Sequence, residues 1–118
     1  TFIDSHKPLL PLWKRIEGVS WLNCTFQQEL YRQEYWLEIT PGPATKAHAA
    51  LRLKNELQCQ RIVAFGDAMN DLPLFAAADE SYAVTNALPQ VKAAATGIIG
   101  SCQDDGVVKF LMSLGDRL

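Results

Sequence analysis

A chain of 118 residues can bury one substantial core but not comfortably two. Hydrophobic residues make up 48%, charged residues 20% and aromatics 9%, which excludes disorder, collagen and coiled coil. With 11 Lys and Arg against 13 Asp and Glu the net charge is -2 and no basic cluster forms, so no nucleic-acid partner is expected.

No apolar run approaches the ~20 residues that a bilayer demands, so no membrane partner is expected. Residues 1–8 lack the charged and apolar regions of a signal peptide. Cys24, Cys59 and Cys102 are odd in number and lack Cys-x-x-Cys spacing. That pattern argues against a disulfide framework or a thiolate metal site. The expectation is a reduced, cytoplasmic protein.

Residues 8–18 read as a short helix, with Leu9, Leu12, Trp13 and Ile16 at helical spacing and Gly18 as the stop. Residues 19–26 and 35–39 read as strands rich in aromatic and β-branched side chains. The polar run Gln27-Gln28-Glu29 between them fits either a strand edge or a turn. All three Trp and two of three Tyr (Tyr31, Tyr35) precede Pro41-Gly42-Pro43, after which Ala dominates. The aromatic set is expected to form a sheet core rather than a stacking platform.

Beyond that break the pattern alternates. Helices are predicted over 44–57, 72–78, 88–95 and 107–114, and strands over 62–65, 81–84 and 97–100. The first helix has Thr45 as N-cap and Ala50, Leu53 and Leu57 on one face. The last is capped by Asp104 or Asp105. Ile62-Val63-Ala64-Phe65 is a continuous apolar run, as in a strand buried on both faces of a parallel sheet. Such alternation predicts an α/β fold with ligands at the carboxyl ends of the strands.

The chemistry concentrates in Phe65-Gly66-Asp67-Ala68-Met69-Asn70-Asp71, directly after that strand. Asp67, Asn70 and Asp71 offer oxygen ligands of the kind Mg²⁺ prefers, and the spacing does not match an EF-hand loop. Asn70 or Asp71 could equally cap the next helix; capping leaves Asp67 unexplained. Lys46 falls in the first turn of its helix, where the macrodipole disfavours a cation by ~0.3–1 kcal/mol. A solvated lysine tolerates that. Beside an acidic metal site, however, such a cation points to a shared anion, and phosphate is the natural one.

Lys46, Val63-Ala64-Phe65-Gly66-Asp67-Ala68-Met69-Asn70-Asp71, Val84-Thr85-Asn86-Ala87 and Asp104-Asp105-Gly106-Val107 together resemble the haloacid dehalogenase superfamily, most of all its Cof-type phosphatases. The resemblance covers residues 38–112. It implies a Rossmann-like core of parallel strands and flanking helices, preceded by the end of an α/β cap domain, with 1–40 as cap and 41–118 as core. It further implies a Mg²⁺-dependent phosphatase of small cytoplasmic metabolites such as sugar phosphates. In that scheme Asp67 ligates Mg²⁺, Asp71 supports the metal site, Lys46 neutralises the phosphoryl group, and Asn70 binds phosphate or the metal's water. Asn86 matches a motif position, though a turn residue before a helix accounts for it equally well. The Gly that usually follows the Lys is Ala47 here.

The family's nucleophile lies in an Asp-x-Asp-Gly-Thr element, and nothing in this chain matches it. The sequence therefore reads as the C-terminal portion of such an enzyme, inactive alone, that pairs with a missing N-terminal part or self-associates. A non-catalytic α/β binding module that retains the fold is the alternative. His6 and His48 are 42 positions apart and suggest no metal site, and the three cysteines read as structural thiols.

Overall fold

The computed structural model describes residues 1–29 and 32–115, so Tyr31 of the expected aromatic set lies outside the described residues. The chain divides into two compact units, Thr1–Thr45 and Lys46–Leu118. The expected boundary at 40/41 falls inside a strand. The division comes later because two turn hydrogen bonds, Ala44 N–H to the Pro41 carbonyl and Thr45 N–H to the Pro43 carbonyl, carry the chain onward to the next helix.

In the first unit, strand β1 (Phe2–Asp4), helix α1 (His6–Ile16), strand β2 (Leu22–Gln28) and strand β3 (Tyr35–Pro41) form an α/β layer. The sheet is antiparallel, in the order β1-β3-β2. Leu9 of α1 and Leu37 of β3 are buried. Trp13 stacks on Phe26 at 5.4 Å, and Phe26 meets Tyr35 at 5.1 Å, so these aromatics pack against one another under the helix. Strand β2 starts three residues later than predicted. Turn bonds from Val19 N–H to the Ile16 carbonyl and from Leu22 N–H to the Val19 carbonyl occupy the intervening backbone. It then runs on through Gln27 and Gln28, which pair with Trp36 and Tyr35. The predicted strand-or-turn ambiguity thus resolves as strand for Gln27 and Gln28, with Glu29 just beyond the strand's end.

The second unit contains helix α2 (Lys46–Glu56), strand β4 (Val63–Gly66), helix α3 (Leu72–Ala77), strand β5 (Glu80–Val84), helix α4 (Pro89–Ala94), strand β6 (Gly97–Ile99) and helix α5 (Gly106–Leu114). Strands β4, β5 and β6 lie side by side in that order, all parallel. Ala64, Phe75, Ala83, Val84, Ala87, Val91 and Ile99 make the core, with Phe65, Tyr82 and Phe110 packed against it. This is the α/β arrangement expected, and it brings the ends of all three strands to one edge.

Two local expectations fail. Leu53 and Leu57, expected with Ala50 on one apolar face of the helix predicted over 44–57, are exposed; Leu57 lies just past the end of α2, and α2 buries no residue. Its main neighbour is the six-residue α3, too short to cover that stripe. Asp105 does precede α5, but at φ 55° it is left-handed and its side chain makes no cap bond. Asp104 lies in a separate 3-10 turn, Cys102–Asp104, capped instead by Ser101, whose hydroxyl accepts from Gln103 N–H at 3.2 Å. Gly106 explains the tight geometry: its N–H donates to the Ser101 carbonyl at 2.9 Å, and a Cβ there would overlap the Gly100 backbone. The Asp-Asp-Gly segment is thus a device for close backbone approach. Among the described residues no helix is long and apolar enough to cross a membrane.

Candidate active site

Strand β4 ends at Gly66, and the chain turns sharply through Asp67 and Ala68 into a single 3-10 turn, Met69–Asp71, before α3. Asp71 controls this turn. The residue is buried, with its side chain only 7% exposed. Oδ2 accepts the backbone N–H groups of Asp67 at 3.0 Å and Ala68 at 3.2 Å. Oδ1 accepts Lys46 Nζ at 2.5 Å. Asp71 occupies the N-cap position of α3 yet makes no cap bond to it. Its side chain instead turns back toward the loop and accepts the Ala68 N–H at the start of the 3-10 turn, so any capping it does is of that turn and not of α3.

Gly66 is required by the same packing. A Cβ at that position would sit 2.7 Å from both the Cβ and the Oδ2 of Asp71. Only a residue without a side chain lets the carboxylate reach the two N–H groups behind it.

Burial pushes the Asp71 carboxyl toward neutrality, but the hydrogen bond from Lys46 and the two backbone donors outweigh it. The carboxyl accordingly stays below the usual carboxylate range and remains ionised. A fixed anion at this place resolves the anomaly of Lys46. As the first residue of α2 it meets the unfavourable end of its own helix, and the Asp71 carboxylate offsets that field. The lysine side chain as a whole is nevertheless 57% exposed, so its tip is anchored on Asp71 while much of the side chain faces solvent.

Asp67 has the complementary character. Its backbone is fixed from both sides: the N–H donates to Asp71, and the carbonyl accepts Leu88 N–H at 3.1 Å. Its side chain is exposed and has no hydrogen-bond partner among the described residues. Asn70 lies in the turn between the two aspartates, also exposed. The structure therefore brings Lys46, Asp67 and Asp71 together at the carboxyl edge of the sheet. The expected roles divide physically, with Asp71 committed inward to Lys46 and the loop, and Asp67 presented outward.

The Asp67 carboxylate fits a Mg²⁺ ion, which commonly takes one or two carboxylates and keeps several waters. Among the described residues no group of three or more His, Cys, Asp and Glu side chains gathers to enclose a metal. The described residues supply one exposed carboxylate, Asp67, and one lysine, Lys46, whose ammonium is held by Asp71 of the same loop.

Asn86, in the turn after β5, has a role that its sequence position did not reveal. Its Oδ1 accepts Cys102 N–H at 3.1 Å and the Ser101 hydroxyl at 3.2 Å, and its Nδ2 donates to Cys102 Sγ at 3.0 Å. The partners are 15 and 16 positions away, so no local pattern could have disclosed them.

A family profile described as haloacid dehalogenase-like hydrolase matches residues 20–111. The chain is 38% identical over 74 residues to a phosphoglycolate phosphatase of Sulfurisphaera tokodaii, covering 62% of this chain and 33% of that protein. It is 32% identical over 114 residues to an HMP-PP phosphatase of Yersinia pestis, covering 93% of this chain and 41% of the relative. A haloacid dehalogenase-like hydrolase of Bacteroides thetaiotaomicron superposes with a TM-score of 0.78 at 25% identity, over 95% of this chain and 42% of that one. The chain thus spans roughly a third to two-fifths of the length of the relatives it matches.

Proposed function

The chain belongs to the haloacid dehalogenase-like hydrolases, and on that premise we propose that it supplies the cation and metal side of a Mg²⁺-dependent phosphomonoester phosphatase. The observation that carries the reading is the Lys46–Asp71–Asp67 arrangement: an ammonium at the start of α2 anchored by Asp71, and, on the same loop as Asp71, a carboxylate without a hydrogen-bond partner among the described residues. Phosphatase-named relatives support it. The substrates proposed are small phosphorylated metabolites such as sugar phosphates, in the cytoplasm.

Lys46 would face the phosphoryl oxygens with its open side while Asp71 holds its other side, so that its charge is placed before substrate arrives. Asp67 would hold the metal, and Asn70 would hydrogen-bond the phosphate or a metal-bound water. Mg²⁺, when bound, neutralises charge on the transferring phosphoryl group. The attacking carboxylate belongs to an Asp outside these 118 residues, since no Asp-x-Asp pair occurs among them. It would displace the alcohol from phosphorus to give an aspartyl-phosphate, which water then cleaves to free phosphate.

The test is hydrolysis of p-nitrophenyl phosphate by the complete protein with and without Mg²⁺, comparing wild type with Lys46→Met. Metal-dependent turnover that falls by roughly 100-fold or more in the variant supports the reading, on the scale of losing one preorganised electrostatic contact. No turnover by the wild type with any phosphomonoester, at saturating Mg²⁺, would favour a non-catalytic binding module.

A further inference from the structure

We propose that Asn86 is a positioning residue for Asp67, locking together the three loops that leave the carboxyl ends of β4, β5 and β6. The connection can be followed atom by atom. The loop after β6 is tied to Asn86 by the Cys102 N–H, the Ser101 hydroxyl and the Cys102 thiol. Two residues along, Leu88 N–H donates to the Asp67 carbonyl. Thr85 N–H donates to the Ile99 carbonyl, and Ala87 is buried in the core, so the turn is held at every step from Thr85 to Leu88.

Asp67 depends on this support. Its carboxylate has no hydrogen-bond partner among the described residues, so what the fold holds in place is the backbone that carries it. That backbone is fixed on one side by Asp71 and on the other by Leu88. Asn86 is exposed, and its bonds do not fill any core space. Their contribution is therefore to loop geometry more than to burial. Residues that orient a metal ligand without touching the metal commonly matter about 10- to 100-fold for metal affinity or activity.

The inference rests on the reading of Asp67 as the metal-holding carboxylate, and the experiment separates the two. Amide hydrogen exchange at Leu88 and Cys102 is measured in the metal-free complete protein, for wild type, Asn86→Ala and Asn86→Asp. The Mg²⁺ concentration giving half-maximal hydrolysis of p-nitrophenyl phosphate is measured for the same three proteins and for Asp67→Asn. Asn86→Ala should speed exchange at both amides by about tenfold, the scale of one lost hydrogen bond. It should raise half-saturating Mg²⁺ roughly 10-fold while kcat at saturating Mg²⁺ changes by less than about threefold. Asn86→Asp keeps the Oδ1 acceptor and should hold Leu88 protection within about threefold of wild type. Unchanged Leu88 exchange and Mg²⁺ dependence in Asn86→Ala, with Asp67→Asn impaired, would overturn the role of Asn86 alone. Wild-type Mg²⁺ dependence in Asp67→Asn would overturn the reading beneath it. Should Asn86→Ala fail to fold, loss of Leu88 protection in Asn86→Asp to the level of a free amide would contradict the proposal, and retention would support it.

Discussion

Lys46 Nζ and Asp71 Oδ1 are 2.5 Å apart although 25 positions separate them, and the two residues solve each other's problem. The lysine begins a helix whose dipole repels it. The aspartate is buried and needs donors. Pairing fixes the ammonium at the carboxyl edge of the sheet, beside the loop that carries Asp67.

The pairing has a pH signature. Because the folded-state pKa of Asp71 is lowered, its stabilisation is fully present above the unfolded value of about 3.9 and is lost as pH falls through the folded pKa. Urea unfolding from pH 7 to pH 3 should therefore show stability falling below about pH 4, less steeply in Asp71→Asn. Asp79, lowered by the Ile62 N–H and then by Lys54, contributes in the same direction, so Asp79→Asn is the necessary reference. Identical acid limbs for wild type and Asp71→Asn would contradict the assignment.

Gly66→Ala tests the loop by steric means alone. The new methyl would lie 2.7 Å from the Asp71 carboxylate and push it off the Asp67 and Ala68 amides. A loss of about 1–3 kcal/mol in unfolding free energy is expected, the usual cost of overpacking. Exchange at the Asp67 and Ala68 amides should rise with it. Wild-type stability and protection would mean that the turn has slack that the packing does not show.

Strand β4 is hydrogen-bonded on one side only among the described residues, and its apolar residues Val63 and Phe65 lie on that edge strand. Val108 and Met112 on α5 are exposed as well. Open edges and apolar patches of this kind recruit other chains. The 118-residue chain by itself is expected to self-associate and to hydrolyse no p-nitrophenyl phosphate. Sedimentation equilibrium showing a monomer at tens of micromolar would count against this, as would turnover.

Much of the core was legible because its signals are local. The apolar run at 62–65 and the oxygen-bearing cluster at 67–71 announce a buried strand followed by a ligand-bearing turn. Strand β1 was not legible: Phe2, Ile3 and Asp4 are all exposed, three residues carry no periodicity, and the strand exists by pairing with β3. Gln27 and Gln28 were ambiguous for a related reason, since polar residues become strand only through their partners Trp36 and Tyr35. At the site, residue types pointed to Lys46, Asp67, Asn70 and Asp71. The division of labour between the two aspartates did not show in the sequence, because it depends on which backbone amides and which ammonium each carboxylate meets. Asn86 escaped for the same reason, its partners being 15 and 16 positions distant.

Asp67 is the exposed carboxylate proposed to hold the metal, with Asp71 and Lys46 beside it. Calorimetric titration of Mg²⁺ into the complete protein, wild type against Asp67→Asn, tests it most directly. Saturable binding by the wild type is expected, with an affinity at least about tenfold weaker in the variant and an unchanged unfolding midpoint. Equal Mg²⁺ affinity in the two proteins would contradict it.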